Sequence, residues 1–237
     1  MGRSTMTSKV RAATTRTGDE VGIRERRSQT DRSAETREKV LAAAIGVLHQ
    51  GGYSAASIKA IADKAGVSLG SLQHQFPTKA KLMAAVVDQL AQERIHAYRA
   101  TADHIDDPWK KYGSVFDTTW AVVKKPEFAA VLEIMLARRS DQELRDETAP
   151  AFETNEATIK EWVLGLGTQA GDDFGAAEFR RSLTNTLMYG LAMQLAIGFD
   201  SAEAEDLIRY WKDLMVVAAQ HPELLPRRTG AGLRRTT

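Results

Sequence analysis

Cysteine is missing from all 237 residues. That removes a disulfide framework, a thiolate nucleophile and any Cys-ligated metal, and it is compatible with a reducing compartment. No stretch of eighteen apolar residues occurs, and the basic N-terminal residues have no apolar segment behind them. Neither membrane insertion nor export is indicated, so a cytoplasmic location is expected. The five histidines, His49, His74, His96, His104 and His221, form no H-E-x-x-H or other metal-ligand spacing, and no serine sits in a G-x-S-x-G elbow. No catalytic residue, metal or cofactor is therefore expected. Gly165-Leu166-Gly167-Thr168-Gln169-Ala170 fits the dinucleotide fingerprint in letters only, since Ile159 to Leu166 has helical period where a strand is required.

Net charge is nearly absent too, at +1, yet it is unevenly placed. Residues 1 to 100 carry 16 Lys and Arg against 9 Asp and Glu, residues 101 to 220 carry 12 against 21, and residues 221 to 237 carry 4 against 1. A basic first part suits phosphate neutralisation, and an acidic remainder repels nucleic acid from the other surfaces. Fluctuating charge on solvated helices gives the same asymmetry without function.

Residues 33–80 read as a compact helical head. Ser33 can cap a helix whose Val40, Leu41, Ala44 and Leu48 form an apolar stripe, ended by Gly51 and Gly52. Ser57 caps a second helix with Ile58, Ile61, Ala62 and Ala65 facing inward and Lys59 facing water. Gly66 permits the positive φ of a tight turn, Ser68 caps a third helix, and Pro77 stops it. Leu72 and Phe76, four apart, anchor that third helix. Its other face offers Leu69, Gly70, Ser71, Gln73, His74 and Gln75. Amide and hydroxyl side chains can read base edges in the major groove, Leu69 can touch a thymine methyl, and Gly70 lets the backbone approach closely.

These positions resemble the TetR family of bacterial one-component transcription regulators. The match includes Val40-Leu41-x-Ala43-Ala44, Gly52-Tyr53, Ser57-Ile58-x-x-Ile61-Ala62, Ala65-Gly66-Val67-Ser68-x-Gly70-x-Leu72 and Phe76-x-x-Lys79-x-x-Leu82. Gln73 and Gln75 depart from it, standing where the family usually has an aromatic and often a histidine. The resemblance implies a double-stranded DNA operator as partner, a phosphate clamp at Thr78 and Lys79, and an all-α fold. It further implies an intersubunit four-helix bundle from the last two helices of a homodimer.

Beyond the head the expected divisions are a disordered basic arm over 1–32, a helical effector-binding and dimerisation domain over 81–222, and a basic tail over 223–237. A long helix from Lys79 to about Ala102 leads into a helix opened by Pro108, where Trp109, Tyr112, Phe116, Trp120 and Val123 repeat on one face. Such a stripe is core or pocket wall. With Met135, Phe152, Trp162, Met188 and Tyr189 it supplies the candidate lining for a small, largely apolar effector. Arg138 and Arg139 close a helix, either answering its C-terminal dipole or, turned inward, meeting a carboxylate. Leu183, Leu187 and Leu191 on the penultimate helix, with Leu207, Tyr210, Trp211 and Leu214 on the last, are the candidate dimer interface. Two-fold symmetry then sets half-sites roughly 34 Å apart. The expected mechanism is a repressor released when its effector shifts the head spacing through the Lys79 helix. A constitutive or architectural DNA-binding protein needs the same head but no cavity, and an all-helical enzyme has no visible site.

Overall fold

A computed structural model of the protein describes the backbone of residues 17–169, 171 and 174–221, and the side chains of most of these from Thr30 on. The rest of the arm and the residues from 222 on, including Arg227, Arg228, Arg234 and Arg235, lie outside the described residues. The described residues are helical and carry no strand, which removes the context that a dinucleotide fingerprint requires. Gly165 and Gly167 lie inside a helix.

Two compact units meet between Lys39 and Val40, within the first helix, α1 (Thr17–Ala55). Sequence reading starts this helix at Ser33; the backbone starts it at Thr17, so residues 17–32 are helix rather than structureless arm. Those residues have no apolar stripe. Glu, Arg and Gln are nevertheless good helix formers. The first unit's described side chains bond locally: Thr36 Oγ1 donates to the Arg32 carbonyl at 2.8 Å, and Lys39 pairs with Glu35 at 2.7 Å. Such an exposed pair contributes little stability.

In the second unit α1 bends at Gly52, where φ is 73°. The helices that follow are α2 (Ile58–Ala65), α3 (Leu69–Gln75), α4 (Lys79–Ala102), α5 (Pro108–Val123), α6 (Pro126–Ala137), α7 (Gln142–Gln169), α8 (Phe174–Ala196) and α9 (Ser201–Gln220). Local chemistry explains their starts. Ser57, Ser68, Thr78, Asp107 and Asp200 each accept an amide hydrogen bond from the first turn of α2, α3, α4, α5 and α9. Pro108 and Pro126 open α5 and α6, where a missing N–H costs nothing.

Three apolar clusters hold the second unit. One joins Val40, Leu48, Ile61, Leu72 and Phe76 to Leu82, Met83 and Val86 of α4, Ile134 of α6 and Leu144 of α7. The boundary expected at residue 80 therefore falls inside a continuous core. Leu48, Ile61, Leu72, Leu82, Ile134 and Leu144 are fully enclosed, each contributing roughly 1.5–3 kcal/mol relative to exposure. A second cluster gathers Phe116, Trp120, Phe128, Met188, Leu191 and Ile208, and a third Tyr98, Val115, Ile159 and Leu166.

Candidate nucleic-acid interface and ligand cavity

The helix-turn-helix is built by its caps. The Ser57 hydroxyl accepts from the Ala60 amide and that of Ser68 from the Ser71 amide, both at 3.1 Å. Gly66, at φ 66°, ends α2 in the left-handed conformation, and its N–H returns to carbonyls of that helix. Leu72 is fully buried and Phe76 nearly so, which fixes the rotation of α3. Ser68, Leu69, Gly70, Gln73 and His74 consequently stand exposed with Lys59 of α2, while Ser71 is half-buried. Leu69 keeps 45% of its surface open, a cost in water that contact with a thymine methyl would offset. A Cβ added at Gly70 would meet nothing within 4 Å, so no contact within the chain requires a glycine there.

The remaining three positions differ from this pattern. Gln75 is half-buried, with its Oε1 turned away from solvent. The Thr78 hydroxyl is occupied as a cap, accepting from the Lys81 amide at 3.2 Å. Lys79 does not reach outward: its Nζ donates to the Tyr53 carbonyl at 2.7 Å and lies 3.5 Å from the Tyr53 ring centroid. Burial lowers its pKa against the pull of Asp141. A phosphate contact by this ammonium would have to use its donors not given to the Tyr53 carbonyl.

Tyr53 also reaches toward the later helices. Its amide donates to Glu133 of α6 at 3.0 Å, and its hydroxyl donates to Asp141, just before α7, at 2.9 Å. Burial and then the Asp141 carboxylate raise the phenol's pKa, keeping it a proton donor at any ordinary pH. Asp141 uses its other oxygen to accept from the Leu144 amide at 2.9 Å. A Cβ on Gly52 would lie 2.9 Å from the same Glu133 oxygen, so this glycine serves both the bend and the close contact. Sequence reading did not find Glu133 or Asp141, which lie about 80 residues away.

A cavity of about 250 Å³ lies between α4, α6, α7 and α8. Leu90, Phe128, Val131, Met135 and Phe152 give it apolar walls; Arg94, Arg138, Asn155, Glu156, Asn185 and Tyr189 add polar groups. Of the side chains expected around an effector, Met135, Phe152 and Tyr189 line this space. Phe116, Trp120 and Met188 pack in the second core cluster, and Trp120 donates its Nε1 to Glu205 at 2.9 Å. Trp162 stacks on Tyr98 with ring centroids 5.7 Å apart, Tyr112 packs beside the third cluster, and Trp109 is 40% exposed. The α5 stripe is thus mainly core, because that face meets α4, α7 and α8. Arg138 lies over the Phe152 ring at 4.5 Å, while Arg139 is exposed. Arg94 on the cavity wall carries no sequence signal, because nothing in helical period distinguishes an arginine facing water from one facing a void.

The last two helices carry a regular apolar seam. Leu183, Thr186, Gly190 and Met193 of α8 and Ile197 just past its end follow alternating steps of three and four, as do Leu207, Tyr210, Leu214 and Val217 of α9, and all are exposed. Leu191 is instead buried, and Leu187 and Trp211 pack against the second core cluster; the Trp211 Nε1 donates to Thr184 at 3.1 Å. Two stripes therefore share these helices, one inward and one open.

Comparison with known proteins agrees with this arrangement. The family description "Bacterial regulatory proteins, tetR family" matches residues 40–86. The HTH-type transcriptional regulator CymR of Pseudomonas putida is 29% identical over 169 residues, 71% of this chain and 83% of its own. The HTH-type nicotine-responsive transcriptional repressor HdnoR of Paenarthrobacter nicotinovorans is 24% identical over 164 residues, 68% of this chain and 84% of its own. Among solved structures, a transcriptional regulator from Rhodococcus sp. Rha1 superposes with a TM-score of 0.65 at 21% identity, covering 80% of this chain and 99% of that one. With an exposed recognition helix inside the matched segment and an all-helical body behind it, the chain carries over residues 40–86 the helix-turn-helix head of the TetR family of bacterial regulatory proteins.

Proposed function

We propose that the protein is a homodimeric repressor whose operator complex is released when a small ligand fills the cavity between α4, α6, α7 and α8. The observation that carries this reading is shared structure: α4 and α6 line the cavity, and the same two helices hold the head. Lys79 at the start of α4 and Glu133 on α6 both bond Tyr53, while Leu90 and Arg94 of α4 and Val131 and Met135 of α6 face the cavity. A ligand that moves α6 relative to α4 changes the support under the helix-turn-helix. Coupling of about 1–3 kcal/mol would weaken operator binding roughly 5- to 150-fold.

The exposed seams on α8 and α9 support dimerisation. Spacing of three and four residues suits packing of near-parallel helices, and apolar side chains such as Ile197, 70% exposed, and Tyr210, 65% exposed, need a cover. A two-fold axis there presents two copies of α3 to successive major grooves. The domain reading that follows is a head of residues 33–80 that docks on DNA and a body of residues 81–222 that senses and dimerises. Its test is direct. Compounds that raise the protein's melting temperature are added to a complex with a duplex from upstream of its own gene. Release of the DNA by such a compound is expected, whereas cavity ligands that leave operator affinity unchanged would point to the constitutive alternative.

A further inference from the structure

We infer that the cavity takes an organic anion: a compact apolar body carrying one carboxylate, received by the Arg94 guanidinium. The inference rests on reading the cavity as the effector site.

Arg94 is a half-buried residue of α4 that lines the cavity. Its Nε has no hydrogen-bond partner, and among the described residues no carboxylate pairs with it. A buried guanidinium kept only for structure would be expected to have an acid beside it, because an unpaired charge away from water is costly. Phenols surround it instead. Burial opposes its charge, yet Tyr98, Tyr189, which is hydrogen-bonded to the guanidinium, and Glu156 outweigh that and raise its pKa, so it stays a cation, with its Nε unpartnered.

The acids in the wall are otherwise engaged. Glu156 holds Arg181 at 2.8 Å. Glu93 is exposed and accepts from Gln89 at 2.8 Å. Glu127 lies in the first turn of α6, where the helix dipole answers its charge. A cationic ligand would have to compete with the partners of Glu156 and Glu93 or with the helix dipole at Glu127, whereas an anion meets a guanidinium on the cavity wall that no carboxylate holds. The Asn185 amide and the Tyr189 hydroxyl stand on the same wall to meet the rest of a polar headgroup. The volume, about 250 Å³, lies at or below the small end of ligand sites and limits the body to a short chain or a single ring.

The test compares headgroups on two fixed bodies. Octanoate, octanamide and octylamine, with 4-phenylbutanoate, 4-phenylbutanamide and 4-phenylbutylamine, are titrated calorimetrically into the full-length protein and into Arg94→Met and Arg94→Lys, each checked by circular dichroism. The expected result is that at least one carboxylate binds roughly tenfold or more tighter than its amide and amine. That preference should disappear in Arg94→Met and survive, weakened, in Arg94→Lys, which keeps the charge without the fork; should Arg94→Met not fold, Arg94→Lys decides. Equal binding of the three headgroups, preference for an amine, binding by none of the six, or a carboxylate preference undiminished without Arg94 would overturn the inference. Operator release is read separately. A carboxylate that binds through Arg94 but leaves DNA bound refutes the sensor reading alone, and DNA release without headgroup preference refutes the ligand class alone.

Discussion

Tyr53 joins the helix-turn-helix to α6 and α7, and its hydroxyl can be removed without disturbing its ring. Tyr53→Phe should lower stability by about 1 kcal/mol, the usual net value of a hydrogen bond, read as a shift in the urea midpoint with unchanged slope. The bond has a definite pH dependence. The Leu144 amide, and then the Tyr53 hydroxyl and Lys79, depress the Asp141 pKa against its desolvation. A carboxyl depressed in the folded state stabilises the fold above its unfolded pKa, about 3.9, and loses that contribution as pH falls through the lower folded value. The stability difference between wild type and Tyr53→Phe should therefore be flat from pH 8 to 5 and shrink below about pH 4; a difference that shrinks between pH 8 and 6 would implicate another group. At this scale the sequence was legible where a residue's role is local. Ser57 and Ser68 cap the helices they precede, and Gly66 makes its turn, because capping depends on neighbours within three residues. Lys79, Glu133, Asp141 and Arg94 were not legible, because their partners lie on other helices.

Among the elements, α3 and the α8 and α9 pair carry separable predictions. Gln73→Ala on exposed α3 should leave thermal stability within about 0.5 kcal/mol while reducing the discrimination between operator and non-operator duplexes, by about 1–3 kcal/mol if Gln73 reads a base. A uniform loss on all duplexes would assign it to phosphate instead. For the seam, Met193→Asp combined with Leu214→Asp should convert a dimer to a folded monomer in analytical ultracentrifugation, with helical content kept, because both side chains already face solvent within the chain. A dimer that persists would move the interface elsewhere. Helix identity followed from periodicity and punctuation: Pro108 begins a helix, and Gly198, at φ 92°, follows the end of α8. Periodicity did not tell which neighbour an apolar face meets. Phe116 and Trp120 suited a pocket wall as well as a core, and the packing of α5 against α4, α7 and α8 placed them in core. On α8 the neighbouring Gly190 and Leu191 fall on different stripes, a distinction that only packing resolves.

For the molecule as a whole, the charge imbalance between residues 1–100 and 101–220, +7 against −9, places the cations in the part of the chain that holds α3. DNA binding should consequently weaken steeply with salt, by roughly 0.9 in log K per unit of log salt for each phosphate neutralised. The TetR-family head was legible from residues 37–82 because a helix-turn-helix packs so few side chains that most of them are constrained. The ligand was not, because its site is assembled from four helices spread over about one hundred residues. The most direct measurement is fluorescence anisotropy of the full-length protein on a duplex from upstream of its own gene and on a scrambled duplex, across several salt concentrations, beside Gly70→Glu. This substitution places a bulky anion where a Cβ meets open space, so it should spare the fold and abolish binding. Tight, salt-dependent binding of the native duplex alone, lost in Gly70→Glu, is the predicted result. Equal weak binding of both duplexes, unaffected by Gly70→Glu, would contradict sequence-selective recognition through α3.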